Sequence, residues 1–188
     1  QRQMCIRDSR FDGVKVKHFE FRGVDSGRKK RVNCITETDN KQLWIGNGIG
    51  LWRLNRSGSE LQRIVPEKID FAVNALLPDG DVLYIGTERG LFIQKDGQLL
   101  QVQTDKNMLA ACNRIMDLCL NEDKSVLWLA TVQGLFSYSL KDGQINSWHF
   151  RENVPEADYF RCLTRIGETL YLGTMSQGVV CFDIPKQT

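Results

Sequence analysis

The amino-acid sequence predicts an all-β protein of the β-propeller class, and one repeated pattern carries that prediction. Four short apolar strings begin at Leu43, Leu83, Leu127 and Leu170, so that their starts are 40, 44 and 43 residues apart. Each string is followed by Gly and an apolar pair, and each is preceded by another short apolar segment. Repeats of about 40–45 residues built from four short strands are typical of propeller blades, whereas helical repeats need a helical periodicity that this sequence lacks.

The strands of each blade can be placed in order along the chain. In the first complete blade we expect strand A at 32–36, B at 43–47, C at 50–54 and D at 60–64, because short runs of Leu, Ile, Val and aromatic residues lie there between turn residues. Two Lys-Asp-Gly-Gln stretches, at 95–98 and 141–144, predict tight hairpins between strands C and D, since Gly favours the positive φ of such turns. The whole chain then divides into a D-type strand at 14–21, complete blades at 32–64, 73–103 and 115–150, and a partial blade at 160–184.

Two interpretations of the ring remain open. The propeller is expected to span residues 11–188, and residues 1–10 are interpreted as an artefactual or disordered leader because Met4–Ser9 resembles translated sequencing-adapter read-through. The N-terminal D-type strand could pair with the C-terminal A, B and C strands and close a four-bladed ring, which would remove exposed sheet edges. Alternatively, the chain is a piece of a larger ring, which is the interpretation we favour.

Composition excludes several classes of protein. The formal net charge is +2, with 26% charged and 41% hydrophobic residues, as in ordinary globular chains. No apolar run approaches the roughly 20 residues that a transmembrane helix needs. The near-neutral charge argues against a nucleic acid as partner, because nucleic-acid surfaces normally show a basic excess.

The six cysteines contain no C-x-x-C pair, and the two histidines are remote from them in sequence. We therefore expect free cysteines that act as small core residues, with no metal site. Cys34 and Cys162 occupy the strand-A position that Ala75 fills in the second blade, which supports this packing role.

An aromatic residue stands at the second position of every B strand, and a small residue follows two positions later. Stacking on a sugar ring would be the functional interpretation of the aromatics, but each repeat must bury the same sheet face, so packing between blades is favoured. The small residues indicate that neighbouring backbones approach closely at their position. The aromatic positions are Trp44, Tyr84, Trp128 and Tyr171, and the small ones are Gly46, Gly86, Ala130 and Gly173.

Neither a catalytic motif nor a cofactor motif is found. The sequence has no G-x-S-x-G, H-E-x-x-H, phosphate-binding Gly-rich loop or EF-hand pattern, and nothing that suggests a nucleophile or carboxylate partner surrounds His18 or His149. Carboxylate pairs such as Glu37/Asp39 and Glu122/Asp123 fall in turn-like segments, where solvated charges are usual. The chain is therefore expected to be non-catalytic, with no cofactor.

Function is expected on one face of the propeller. In an up-and-down blade the D–A and B–C connections emerge on the same side, and the longer polar D–A loops lie at 22–31, 65–72, 104–114 and 151–159. Long loops on a rigid scaffold are the usual place for recognition. The basic run 28–31 could bind phosphate, although a solvated loop explains it more simply. The candidate ligand-binding residues are Arg28, Lys30, Asn47, Glu88, Arg89, Asn107, Gln133, Asp158, Tyr159 and Gln177.

The Leu-Tyr-Ile-Gly-Thr-Glu-Arg-Gly-Leu string at 83–91, and the related string at 43–51, resemble the repeat of the two-component-regulator propeller family. The resemblance covers about residues 11–184 and departs from the family pattern at Ala130 and at 175–177, where the last B–C connection is one residue longer. It implies the extracytoplasmic, periplasmic sensor region of a membrane-spanning hybrid histidine kinase, which senses a carbohydrate or another ligand. It further implies a homodimer through the parent receptor, with membrane attachment and kinase chemistry outside this chain.

Two other functions stay open on the sequence alone. A propeller enzyme acting on carbohydrate would need a pair of carboxylates converging on the axis. An intracellular scaffold for protein interactions would need no export signal. A shared fold does not decide between these functions.

Overall fold

The computed structural model describes residues 9–11, 16–22, 31–64, 69–103, 114–148, 150 and 159–186. All regular structure in these ranges is β-strand, arranged as successive antiparallel meanders. The first complete blade contains β3 (Val32–Glu37), β4 (Leu43–Asn47), β5 (Gly50–Leu54) and β6 (Leu61–Ile64). The second contains β7 (Val73–Asp79), β8 (Val82–Thr87), β9 (Gly90–Lys95) and β10 (Gln98–Gln101). The third contains β11 (Ile115–Leu120), β12 (Val126–Thr131), β13 (Gly134–Ser139) and β14 (Ile145–Trp148).

A fourth sheet consists of β15 (Phe160–Ile166), β16 (Thr169–Thr174) and β17 (Val179–Asp183). Each sheet is paired in sequence order, so the four strands of a blade take the positions A to D predicted from the repeat. The inner strands of successive blades, β3, β7, β11 and β15, lie beside one another, as the A strands of a propeller do.

The tight C–D hairpin of the second blade has the conformation that its sequence predicts. Asp96 and Gly97 have φ angles of 51° and 75°, and the register pairs Lys95 with Gln98. Positive φ at both central residues is the mark of a type I′ turn, whose twist matches that of the flanking strands.

The N-terminal segment does not close a four-bladed ring among the described residues. The strand β1 (Ser9–Phe11) pairs with β2 (Val16–His18) in a separate two-stranded sheet, whereas the closed-ring alternative required pairing with β17. The expected D-type strand at 14–21 is thus represented by the shorter β2, and the first strand begins two residues before the predicted start at residue 11. Phe21, three residues after β2, is buried with its ring centroid 4.9 Å from that of Trp52, so this segment packs against the first complete blade.

Each of the four inner strands carries a β-bulge next to its first residue. The register of β3 against β4 shifts between Val32 and Cys34, and equivalent shifts occur in the other three blades. Because a bulge leaves one residue out of the ladder, it turns that side chain away from the regular sheet pattern. The bulged residues are Asn33, Asn74, Met116 and Arg161.

The core consists of apolar layers between neighbouring blades. Trp44, Tyr84 and Trp128 are at most 5% exposed and belong to three successive clusters, which confirms the packing role predicted for them. Tyr171, at the same position of the fourth sheet, is only half-buried.

The described cysteines of the first and third blades are likewise more buried than those of the fourth sheet. Cys34, Cys119, Cys162 and Cys181 are free, while Cys5 and Cys112 lie outside the described residues. Cys34 is half-buried, but Cys162 and Cys181 are exposed, so the small-core role expected for Cys162 is wrong in this structure. The reason is that no following blade covers that face in the part of the chain that the structure describes.

Across the same ranges, nothing helical has the length and apolar character needed to cross a membrane. No group of three or more His, Cys, Asp or Glu side chains is arranged there to hold a metal ion.

Candidate functional site

The ends of the D–A connections and the B–C turns lie on one face of the structure, which we call the loop face. The backbone N–H of Gly48 donates to the carbonyl of Arg31, and that of Glu88 donates to the carbonyl of Ala72 at 3.0 Å. In the fourth sheet, Met175 N–H donates to the carbonyl of Tyr159 at 3.0 Å. These bonds join the first, second and fourth B–C turns to the residue that leads into the inner strand of the same blade, as the up-and-down order of the strands requires.

A threonine at the end of strand B fixes the B–C turns of the second and third blades. The hydroxyl of Thr87 donates to the carbonyl of Gly90 at 2.7 Å and accepts the N–H of Arg89 at 3.0 Å. Thr131 makes the same pair of bonds with Gly134 and Gln133. A side-chain oxygen that accepts an N–H two residues ahead stabilises a tight turn. The Thr of the repeated string therefore positions the candidate residues Arg89 and Gln133, a role that the sequence pattern had not revealed.

The fourth B–C turn follows the same rule despite its extra residue. Thr174 Oγ1 donates to the carbonyl of Gly178 at 2.9 Å and accepts the N–H of Gln177 at 2.8 Å. The candidate Gln177 is exposed, and so is the neighbouring Met175, which is 60% exposed.

Asn47 is a structural residue and not a surface contact. It takes the place of the threonine in the first blade, and it is 0% exposed. Its Oδ1 accepts hydrogen bonds from the backbone N–H of Ile49 at 3.0 Å and from Nε1 of Trp52 at 3.2 Å. From the sequence we expected Asn47 among the exposed turn residues, and the structure corrects this because the side chain faces inward to brace the turn.

Arg89 is the best-defined candidate on the loop face. Its guanidinium lies 4.6 Å from the ring centroid of Phe71 and 4.0 Å from Asp70 Oδ1, while 67% of its side chain stays exposed. Gln101 Nε2 donates to the backbone carbonyl of Arg89 at 3.2 Å. A guanidinium resting on an aromatic face is held in place yet keeps free N–H donors, which suits it to bind an anionic group.

The remaining candidates are only partly brought together. Glu88 is exposed beside Arg89, Gln133 is exposed at the next turn, and Tyr159 is half-buried where the fourth inner strand begins. The backbone N–H of Arg114 donates to the carbonyl of Glu88, which links the second B–C turn to the third blade. Four candidates lie outside the described residues: Arg28, Lys30, Asn107 and Asp158.

The bulged asparagines of the inner strands were not predicted from the sequence. Asn33 Nδ2 donates to the carbonyl of Val73 at 3.0 Å, and Asn74 Nδ2 donates to the carbonyl of Ile115 at 3.0 Å. Each amide thus reaches from one blade to the first residue of the next inner strand. Asn after the first apolar residue of strand A was the only sequence signal, and it occurs in just two blades.

Charge distinguishes the two faces. Among the exposed charged residues described on the loop face, arginines outnumber acids: Arg31, Arg89, Arg114 and Arg161 stand against Asp70 and Glu88. On the opposite face, the exposed charged residues of the A–B and C–D turns are mostly acids, with fewer bases: Glu37, Asp39, Lys41, Arg56, Asp81, Lys95, Asp96, Glu122, Asp123, Lys124, Lys141, Asp142 and Glu168. Among the described residues, the loop face is therefore the more positively charged of the two faces.

The side chains whose pKa values are raised by burial lie where neighbouring blades pack together. Burial raises the pKa of the Cys34 thiol to about 12, and desolvation also raises the pKa of Cys119. A reactive cysteine needs a lowered pKa, so neither thiol has the character of a nucleophile. Burial likewise raises the pKa of Asp117, whose carboxylate accepts two backbone N–H groups.

Several solved structures share this fold. The extracellular domain of BT4673 from B. thetaiotaomicron, named as a hybrid two-component system, matches with a TM-score of 0.69 and 23% identity over 89% of this chain and 23% of that one. The extracellular domain of the hybrid two-component system BT3049 from the same organism matches with a TM-score of 0.70 and 17% identity over 86% of this chain and 24% of that one. The WD40 domain of Pan2 from Neurospora crassa matches with a TM-score of 0.61 and 13% identity over 84% of this chain and 48% of that one.

WD40 domains are β-propellers, so the likeness shows the fold. The chain spans about a quarter of the length of the two extracellular domains that it matches. No family model matches the sequence, and no curated protein matches it.

Proposed function

We propose that this chain is a ligand-sensing part of the extracytoplasmic region of a membrane-spanning hybrid histidine kinase, built from two-component-regulator propeller repeats. The observation that carries the proposal is that the succession of blades in this chain matches the extracellular domains of two hybrid two-component systems over 89% and 86% of its length. The location would accordingly be periplasmic, with the parent receptor in the membrane.

The ligand-binding surface in this proposal is the loop face. Its B–C turns are rigid, because a buried or half-buried side chain anchors each of them, and they present Arg89, Gln133 and Gln177 to solvent. Rigid turns that carry polar side chains cost little ordering entropy when a ligand binds.

The proposed ligand is an oligosaccharide that carries carboxylate or sulfate groups. Arg is suited to such groups because its guanidinium offers paired N–H donors that match their oxygens. The exposed arginines of the loop face, and Arg89 resting on Phe71 in particular, support an acidic sugar over a neutral one.

The chain itself is proposed to be non-catalytic, since the chemistry of phosphoryl transfer would lie in other domains of the receptor. Ligand binding would signal by favouring one arrangement of a receptor homodimer over another, which requires a different affinity for the two arrangements.

Calorimetric titration of the 188-residue chain tests the proposal. Neutral probes would be xylo- and manno-oligosaccharides, and acidic probes would be oligogalacturonides and sulfated disaccharides. We expect binding of an acidic probe, weakened about tenfold or more by Arg89→Ala, because central arginines are frequent hot spots. Arg56→Ala is the matched control, since Arg56 is an exposed arginine on a C–D turn of the opposite face.

Two results would count against this function. Equal losses in Arg56→Ala and Arg89→Ala would show that the loop face is not the binding surface. Release of new reducing ends from any probe would favour the carbohydrate-active enzyme instead.

A further inference from the structure

The interfaces between complete blades share one packing device. A Cβ atom placed on Gly46 would lie 2.6 Å from Cγ1 of Val73, and one placed on Gly86 would lie 2.7 Å from Cγ2 of Ile115. Val73 and Ile115 are the first residues of the next inner strand, and both are 0% exposed. The missing side chain of each glycine thus makes room for a β-branched side chain of the following blade.

A polar bond accompanies this packing. The bulged Asn33 donates to the carbonyl of Val73, and the bulged Asn74 donates to the carbonyl of Ile115, each at 3.0 Å. Val73 and Ile115, whose side chains fill the space next to the glycines, are therefore also held through their backbone carbonyls. Apolar residues of strand C complete the same layer: Leu51, Leu91 and Leu135 are 0%, 5% and 0% exposed.

Among the described residues, the fourth sheet presents the same face without a cover. Val179, at the position of those leucines, is 66% exposed, and Cys162 and Cys181 on the same face are exposed. Of the residues that the structure describes, a Cβ atom on Gly173 would meet only Cys162, through its side chain and backbone. Arg161, at the bulged position, is exposed as well.

The outer edge of this sheet is open too. The sheet of β15, β16 and β17 has no fourth strand among the described residues, and an open groove of about 640 Å³ borders it, lined by Trp128, Trp148 and Ile184 with other side chains. In the second blade, Leu99 of the fourth strand is 6% exposed in the cluster that contains Trp44. The groove next to Trp128 is the equivalent place for a fourth-strand residue.

We infer that this face of the fourth sheet is a docking surface for a further propeller blade of the same repeat, preceded by an extended strand that pairs with β17. The inner strand of that blade would begin with a β-branched or other apolar residue, seated over Gly173. The surface continues the series of interfaces already present, in which the same positions are covered by the next blade. This assignment is independent of the proposed sensor function, because it depends on packing alone.

Thiol labelling tests the surface directly, because two native cysteines lie on it and a third supplies the control. Under native conditions we expect iodoacetamide to modify Cys162 and Cys181 about tenfold faster than Cys34, which is half-buried with its thiol against Val73 of the next blade. Peptide mapping by mass spectrometry reads each cysteine separately.

A second labelling experiment uses a longer chain that supplies the proposed further blade. Asp183 corresponds to Lys95 in the alignment of the blades, so a copy of residues 96–148 appended after Asp183 provides a fourth strand and a following blade that begins with Ile115. We expect the appended chain to be monomeric, with labelling of Cys162 and Cys181 reduced about tenfold relative to the parent chain. The matched control carries Ile115→Asp in the appended copy only and should lose this protection.

Three results would overturn the inference. Cys162 and Cys181 that stay as reactive in the appended chain as in the parent would show that a blade does not dock there. Slow labelling of both cysteines in a monomeric parent chain would show that the face is already covered. Protection in the parent chain that rises with concentration, together with dimers in sedimentation, would identify a second copy as the occupant.

If the appended chain fails to fold, paired substitutions in the parent chain still decide whether the face is uncovered. Val179→Asp should leave the midpoint of urea unfolding nearly unchanged, whereas Leu91→Asp, at the equivalent covered position, should abolish folding. A large loss of stability in Val179→Asp would contradict the inference.

Discussion

Asp117 Oδ2 accepts a hydrogen bond of 2.8 Å from the backbone N–H of Leu163, and this bond ties the third blade to the fourth. Oδ1 of the same carboxylate accepts the N–H of Leu118 at 2.9 Å. None of the other blades has a carboxylate at this position, where the residues are Cys34, Ala75 and Cys162. The junction between the third and fourth blades therefore contains a carboxylate link, whereas the other two junctions are bridged by the amides of Asn33 and Asn74.

Removing this carboxylate should destabilise the fold. Asp117→Ala leaves two backbone N–H groups without their acceptor, which is expected to lower the free energy of unfolding by about 1–3 kcal/mol. Urea denaturation followed by tryptophan fluorescence measures the change, with the exposed turn variant Asp81→Ala as a control that should have almost no effect. Unchanged or increased stability in Asp117→Ala would show that the link does not hold the blades together.

The same residue predicts a dependence of stability on pH. Burial raises the pKa of Asp117 above the ordinary value of 3.8, although the two backbone N–H groups act in the opposite direction. Its contribution is fully present below pH 3.8 and is lost as the pH rises through the folded-state pKa, because the folded state then has to bury a charge.

We therefore expect the difference in unfolding free energy between the parent chain and Asp117→Asn to fall as the pH is raised from about 3.5 to about 7. Urea midpoints across this range give the difference at each pH. The comparison with Asp117→Asn removes the opposite contributions of Asp123, Asp142 and Asp183, whose pKa values are lowered by hydrogen bonds. A difference that grows with pH would contradict a raised pKa for Asp117 in the folded state.

The threonine of the third B–C turn should matter more than that of the fourth. Thr131 is 0% exposed and its hydroxyl serves both Gly134 and Gln133, so Thr131→Val should cost about 1–3 kcal/mol of unfolding free energy. Thr174→Val removes the equivalent bonds in a more exposed turn, where water can replace them, and should cost less. Urea unfolding measures both losses. Equal losses of unfolding free energy in the two variants would mean that burial of the turn does not determine how much its threonine stabilises the fold.

The glycine of strand B provides a further test of the packing between blades. Gly86→Ala forces a Cβ atom to within 2.7 Å of Ile115, which should destabilise the fold by about 1–3 kcal/mol through overpacking. Gly173→Ala meets only Cys162, whose exposed thiol can rotate away, and should be nearly neutral. Thermal unfolding of both variants compares them, and a larger loss in Gly173→Ala would be incompatible with an uncovered face on the fourth sheet.

The scaffold is predictable from the sequence because each repeat has to solve the same packing problem. Strand positions, the shared face of the D–A and B–C connections, and the burial of Trp44, Tyr84 and Trp128 all follow from the period and from alternation along each strand. Features that depend on a neighbouring blade cannot be predicted from the period or from the alternation along a strand. The bonds from Asn33 and Asn74 to the next blade exist only because a bulge turns these amides outward, and a bulge has no reliable sequence pattern.

The candidate site was predicted less completely than the scaffold. Asn47 had the right position for an exposed turn residue, but its side chain faces inward, where its Oδ1 accepts a hydrogen bond from the indole N–H of Trp52. Arg89 was found from its place in the turn, whereas its support by Phe71 and Asp70 became visible only in three dimensions, because those residues belong to a different connection.

Hydrogen–deuterium exchange of the 188-residue chain, with and without the tightest-binding oligosaccharide of the acidic panel, tests the ligand-sensing role of the loop face most directly. We expect ligand to slow exchange at the B–C turns 88–89, 132–133 and 175–177, and to leave the turns 39–41, 80–81, 96–97 and 122–124 unchanged. Protection confined to the second group of turns, or the absence of binding by every acidic probe, would contradict a ligand-sensing loop face.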